Sequence, residues 1–161
     1  MVTFIEAQVE ALIVAACAGV CTDLNVVGFW DAAAEGTVKT NPRSAVSVRI
    51  TPRANDTWGL PVVTLHASVS VLMDQAEDPT GALMISAYAS LSALLATWQK
   101  DEEAASAALS IADVFRADAV LFADGGDCGY DETTGAWYAT IMLDIKGCVL
   151  DAPETQETQE D

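Results

Sequence analysis

Two stretches of the chain alternate strictly between apolar and polar residues, a pattern typical of β-strands with one buried face. Residues 44–50 form the first stretch and residues 62–73 the second. The intervening residues 52–61 contain Pro, Asn, Asp and Gly, which favour a long exposed turn. We therefore expect two antiparallel strands connected by that turn. Their predicted buried positions are Val46, Val48, Ile50, Val63, Leu65, Ala67, Val69, Val71 and Met73.

Three other stretches repeat apolar residues every three or four positions, which predicts helices with one buried face. The first covers residues 4–18, where Thr3 and Glu6 have the spacing of a capping box. The second follows Asp78-Pro79, a pair suited to the N-cap and the first helical position. The third covers residues 102–116, and acidic residues at its start suit the helix dipole. The predicted apolar stripes are Ile5, Val9, Leu12, Ile13 and Ala16; Leu83, Tyr88, Leu91, Leu94, Leu95 and Trp98; and Ala105, Leu109, Ala112 and Phe115.

The chain closes with two further strand-like runs, at residues 119–123 and 137–146. Between them lies DGGDCGYDE, residues 124–132, whose three glycines suit the tip of a hairpin. Residues 19–42 predict a partly irregular connector that begins with a short strand. This order predicts an α+β fold in one domain over residues 1–150, with an antiparallel sheet of about four strands packed by helices on one face. Its expected core contains Val63, Leu65, Val69, Val71, Leu91, Leu95, Trp137, Ile141 and Leu143.

Acidic residues outnumber basic ones by 24 to 7, which gives a formal net charge of −17. Such a chain has no basic stripe with which to neutralise phosphates, so nucleic-acid binding is disfavoured. Five of the acids lie in DAPETQETQED, residues 151–161, a polar segment that predicts a disordered acidic tail. The first twenty residues lack the basic start of a signal peptide, and we interpret them as a helix of the mature protein. No apolar run predicts a membrane helix, so we expect a soluble protein.

Residues 124–132 hold four acidic side chains and the thiol of Cys128, which raises the question of a metal or catalytic loop. The acids do not follow the alternating positions of an EF-hand, so a glycine-rich turn explains them better, with weak metal binding as the alternative. A nucleophilic thiol needs a nearby base or cation, whereas Cys128 has acidic neighbours. His66 shares a strand face with Ser68, but such positions lie about 7 Å apart, too far for direct proton transfer. The cysteines also lack zinc-site spacing. We assign no catalytic, cofactor-binding or metal-binding residue.

Two segments have the composition of contact surfaces instead. Trp58, in the turn at residues 52–61, has polar and charged neighbours of the kind that protein interfaces favour, although it could equally fold back onto the core. The glycine-rich segment at residues 124–132 would be available for contact with a neighbour. The candidate interface residues are Arg53, Asn55, Asp56, Trp58, Asp127, Tyr130 and Asp131.

The chain resembles phage tail-terminator and tail-completion proteins in its layout over residues 1–150. The resemblance is carried by PRSAVSVRITPR leading into VVTLHASVSVLM, by the helix after DPTGALM, and by the ending ADAVLF followed by GAWYATIMLDIKGCV. It implies an α+β subunit of the virion that forms a ring of copies, commonly a hexamer, on the end of the tail tube.

The same resemblance implies two protein partners, the tail tube protein and the connector or neck protein of the head, and assembly in the host cytoplasm. DNA would pass through the ring without specific binding, which suits an acidic chain because phosphates are repelled. We expect no enzymatic activity and no membrane association. The alternatives are a neck, head-closure or capsid-decorating protein, or a small α+β domain that binds a ligand or catalyses a reaction.

Overall fold

The computed structural model describes residues 4–30, 44–53 and 60–150 of the chain. The α+β class is confirmed. The predicted acidic tail at residues 151–161 lies outside the described residues. The helices are α1 (Ile5–Val20), α2 (Ala82–Lys100) and α3 (Glu102–Leu109), and the strands are β1 (Asn25–Gly28), β2 (Ala45–Ile50), β3 (Val62–Asp74), β4 (Phe115–Asp131) and β5 (Ala136–Val149).

The described strands form one mixed sheet in the order β1-β2-β3-β5-β4. The prediction of about four antiparallel strands was wrong in two respects, because the sheet has five strands and β1 runs parallel to β2. A four-residue strand is too short for alternation to reveal its pairing. The predicted pairing of β2 with β3 is confirmed, with Val46 opposite Val71 and Val48 opposite Val69. The last strand, β5, lies in the middle of the sheet between β3 and β4.

The core lies between one face of the sheet and a layer of helices. Helix α1 packs on β1 and β2, α2 packs on β3, β5 and β4, and α3 packs on β4; the three helices also contact one another. The alternating apolar residues of β2 and β3 are buried as predicted. Of the nine expected core residues, all are buried except Trp137, which is partly buried and packs against the core.

Helix α2 begins three residues later than predicted. Its N-cap is Gly81, whose backbone is left-handed, and Asp78 is buried below the first turn. The Asp78 carboxylate accepts hydrogen bonds from the backbone N–H of Leu83 and Met84 at 3.1 and 2.9 Å. Asp78 therefore caps the helix as expected of its residue type, but from a position outside it. The buried stripe is also shifted, since Leu83 and Tyr88 are exposed; its members are Met84, Ala87, Leu91, Leu95 and Trp98.

Helix α3 ends at Leu109 instead of continuing to residue 116 as predicted. Ser110 leaves helical geometry and its hydroxyl accepts a hydrogen bond from the N–H of Ala117. Asp113 has a φ of 63°, a left-handed value that reverses the chain. Phe115 then enters β4 and is fully buried against the helix layer. Helical spacing and burial in a strand both suit an apolar residue at this position, so the periodicity alone was misleading.

The segment DGGDCGYDE is not the tip of the closing hairpin, contrary to the prediction. Strand β4 runs to Asp131, and the turn is formed by residues 132–135. Gly125 and Gly126 lie in a β-bulge: Ala123 pairs with Met142 and Asp127 with Thr140, so β4 advances four residues where β5 advances two. Gly129 pairs regularly with Tyr138. Gly125 supplies a φ of 109° there. The ladder with β5 therefore overrides the turn propensity of glycine and aspartate.

Two glutamates of α1 lie inside the protein. Glu6 accepts hydrogen bonds from the backbone N–H and the Nε–H of Arg53 at 2.8 and 2.9 Å. The N-cap residue of α1 is Phe4, and Thr3 of the predicted capping box with Glu6 lies outside the described residues. Glu10 accepts bonds from the backbone N–H of Trp30 at 2.8 Å and of Ile50 at 3.2 Å. The two carboxylates therefore join α1 to the ends of β1 and β2.

Candidate assembly surface

The described residues contain no cluster of three His, Cys, Asp or Glu side chains able to hold a metal ion. Cys17 and Cys21 are buried, and burial raises the pKa of the Cys17 thiol to about 12. A thiol of that kind is a poor nucleophile. His66 Nδ1 lies 2.7 Å from Asp144 Oδ1, a pairing between β3 and β5 that the sequence analysis did not predict. Ser70, on the same face, bonds instead to Thr140 at 3.0 Å.

The candidate residues of the 52–61 turn are described only at Arg53. Its side chain is 5% exposed and forms an ion pair with Glu6, so its guanidinium faces the interior. Asn55, Asp56 and Trp58 lie outside the described residues.

The other three candidate residues all lie in the outer half of the β4–β5 hairpin, but the strand register places Tyr130 on the face opposite to Asp127 and Asp131. The Tyr138 hydroxyl donates to Asp127 at 3.2 Å, and this hydrogen bond raises the pKa of Tyr138. Tyr130 stacks at a tilt on Trp137, with centroids 4.9 Å apart. Asp131 accepts a hydrogen bond from Thr133 N–H and so fixes the turn. These side chains stabilise the hairpin and leave its outer surface polar.

Strand β4 forms one edge of the sheet over seventeen residues. Two large apolar side chains in it, Leu121 and Phe122, are 42% and 41% exposed. The N–H of Phe122 is bonded to the side chain of Gln99 on α2, which covers one position of the edge. An edge strand of this length with exposed apolar residues is a site at which another chain can pair or pack.

A second apolar surface lies on the N-terminal half of α2. Leu83, Ile85 and Tyr88 are 53%, 61% and 39% exposed. By length and composition alone α2 could cross a membrane, a test that core helices of soluble proteins also pass. Five buried residues of α2 hold it against the core, so its exposed apolar residues flank a packed helix.

The sheet has a second face, opposite the helices, which we call the open face. Within the described ranges no helix covers it, and its residues are mostly polar. Cross-strand pairing defines the rows of this face, with Thr64 beside Lys146, His66 beside Asp144, and Arg49 beside Ser68. The open face also carries Arg116, opposite Cys148.

No known protein family matches this chain, and no curated protein matches it in sequence. The surfaces that sequence reasoning missed are the β4 edge and the basic residues of the open face. The alternation in residues 62–73 predicts that His66 lies on a polar face, but only the β3–β5 register places Lys146 beside that row.

Proposed function

We propose that this chain is a structural protein of a phage virion, a tail terminator that assembles into a ring on the tail tube and joins it to the head connector. The observation that carries the proposal is the edge strand β4 with its exposed Leu121 and Phe122. The layout over residues 1–150, which resembles tail-terminator proteins, supports the same function. The proposal includes the absence of enzymatic activity.

A ring requires a contact between two different surfaces of the subunit, repeated around an axis. An edge strand meets this requirement, since its outer N–H and C=O groups and its side chains can meet a different surface of the next copy. In a ring of this kind the β4 edge of each copy would contact the next copy, and a different surface of the same copy would contact the β4 edge of the previous one. Six copies would close the ring. Exposed apolar residues at such a contact would become buried, which stabilises the assembly.

The charge of the chain supports the position that we propose. With a net charge of −17, a ring of such subunits would carry a strongly negative surface. A channel lined by such a surface repels phosphates, so DNA could slide through it without binding. The connector and tube proteins would be recognised by the two rims of the ring.

The test is the mass of the purified protein by native mass spectrometry, with negative-stain images of the same sample and of the protein mixed with purified tail tubes. We expect a closed ring with a central hole, either free or on the end of the tube. Phe122→Lys should shift the protein towards monomers, because a charge would then lie at the buried contact. Val62→Lys is the matched control, since Val62 is a 70% exposed apolar strand residue away from the β4 edge.

Urea unfolding of both variants verifies that they fold. A ring that survives Phe122→Lys but not Val62→Lys would place the contact elsewhere and remove the observation on which the proposal depends. A strict monomer that also leaves tail tubes uncapped would contradict the terminator function. A ring that binds head connectors but not tubes would favour a neck or head-closure protein.

A further inference from the structure

Among the described residues, the basic side chains are concentrated on the open face. The described ranges contain five lysines and arginines, and three of them, Arg49, Arg116 and Lys146, lie on that face. Of the other two, Arg53 is buried with Glu6, and Lys100 is at the end of α2. His66 is on the same face, between the rows of Arg49 and Lys146. We call the residues Arg49, His66, Arg116 and Lys146 the basic band.

Two members of the basic band lack an acidic partner among the described residues. Arg116 is paired with Asp118 at 2.7 Å, and His66 with Asp144 at 2.7 Å. Arg49 lies 4.4 Å above the ring of Phe29, which is a contact with an aromatic face and not with a carboxylate. Lys146 forms no ion pair within the described ranges. The band therefore offers two exposed cations in a protein with a large excess of acids.

The complement of the band is present in the chain itself. Residues 151–161 contain five acids and no base, and they follow directly after Leu150. Lys146 is in β5 five residues before Asp151, and a strand rises by about 3.3 Å per residue, so the segment starts about 17 Å from the row of Lys146. Eleven residues can span about 36 Å. Arg49 is in β2, about 10 Å across the sheet from β5, and its row meets β5 at Met142, about 30 Å along the strand from Asp151. The resulting distance of about 31 Å is still within reach of the eleven residues.

We infer that residues 151–161 dock on the basic band of the same chain, with their carboxylates beside Lys146 and Arg49. The contact depends on charge complementarity between exposed groups, so salt weakens it. Docking on the open face leaves the β4 edge uncovered, and the inference therefore holds whether or not the chain forms a ring.

The chain contains three lysines, Lys39, Lys100 and Lys146, which makes the inference directly testable by zero-length crosslinking. A carbodiimide joins a carboxylate to a lysine amine with loss of water, and only where the two groups touch. We expect the full-length protein at low salt to give amide links from Lys146 to Glu154, Glu157 or Glu160, identified by peptide mass spectrometry. The yield should fall at least fivefold at about 0.5 M NaCl, because the Debye length is then only a few Å.

Matched variants distinguish docking from chance contact. Lys146→Arg keeps the charge but should abolish the links at that residue, and Arg49→Gln should lower their yield severalfold. Lys100→Gln should leave the yield unchanged, since Lys100 lies outside the basic band. Links from Lys100 to the segment as abundant as those from Lys146, or a yield insensitive to Arg49→Gln, would overturn the inference.

A mixture of unlabelled and ¹⁵N-labelled protein shows whether the docked residues 151–161 belong to the same chain as Lys146 or to a second copy. Links within one chain, all light or all heavy, support docking on the same chain. Links that join a light to a heavy chain would place the segment on a neighbouring copy and overturn docking within the chain. Native mass spectrometry measures the mass of the assembly and so tests the proposed ring, whereas crosslinking identifies residue pairs and so tests the docking of residues 151–161. Either proposal can therefore fail without the other.

Discussion

At the scale of single residues, Glu10 is a buried polar side chain that connects three elements. It is buried in α1, and its carboxylate accepts the backbone N–H groups of Trp30 and Ile50. A Cβ atom on Gly28 would lie 2.5 Å from its Oε1, so only glycine leaves room for the carboxylate there. The contact between α1 and β1 therefore depends on both residues, since Gly28 leaves the space that the Glu10 carboxylate occupies.

We predict that Glu10→Ala lowers the free energy of unfolding by about 3 kcal/mol, because it removes charge-assisted hydrogen bonds from two amides. Urea denaturation followed by tryptophan fluorescence measures the change. The control is Glu103→Ala, an exposed glutamate in the first turn of α3, for which less than about 1 kcal/mol is expected. Equal losses in the two variants would show that the Glu10 carboxylate does not hold those amides.

At the scale of elements, the β4–β5 hairpin depends on a glycine that no turn requires. Gly147 lies in β5 opposite Ala117, and a Cβ atom there would overlap the backbone O of Arg116 and approach the Phe115 ring to 2.6 Å. Phe115 is fully buried, so it cannot move aside without disturbing the core. Phe115 and Gly147 therefore fill one volume between the two strands and the helices.

We predict that Gly147→Ala lowers the free energy of unfolding by about 2 kcal/mol, the usual order of an overpacked core site. Gly19→Ala is the control, since a Cβ atom there would meet nothing within 4 Å and α1 would gain helix propensity. Thermal unfolding of both variants by circular dichroism gives the comparison. A destabilisation by Gly19→Ala as large as that by Gly147→Ala would contradict the packing explanation.

The elements also show what the sequence could predict. Strict alternation placed β2 and β3 correctly because each has one buried and one wet face, so the pattern and the packing agree. The pattern failed at Phe115 and in residues 124–131, where pairing with β5 decides the conformation of residues that favour helix or turn by themselves. The conformations of Phe115 and of residues 124–131 could not be predicted without knowing that β5 lies between β3 and β4. That strand order depends on contacts between residues far apart in the chain.

The candidate surfaces were less predictable than the fold, for a related reason. Tyr130 and Asp127 were expected in an exposed loop, and they lie instead in a paired strand with partners on β5. The basic band depends on the strand register across four strands, which single residues do not encode. Buried Glu6 and Glu10 carry a sequence signal, two acids within an apolar helical pattern, but that signal also fits an exposed helix face.

At the scale of the whole molecule, the dominant property is the net charge of −17. Like charges on a folded protein repel one another and reduce its stability, and dissolved salt screens the repulsion. We predict that the melting temperature rises by several degrees between about 0.02 M and about 0.5 M NaCl.

The control is the same titration near the isoelectric point, about pH 4.1, where the net charge vanishes and the rise should shrink. Differential scanning calorimetry measures both series. A melting temperature that falls with salt at neutral pH would mean that attractive ion pairs outweigh the repulsion.

The central position of β5 has a consequence for how the protein is made. Strand β3 ends at Asp74, but its partner β5 begins at Ala136, so the middle of the sheet cannot pair until most of the chain has been synthesised. On the ribosome, β3 would remain unpaired with β5, with its apolar face exposed, while α2, α3 and β4 are synthesised. Pairings between residues so far apart in sequence form slowly. The pairing of β3 with β5 would therefore be a late step in folding.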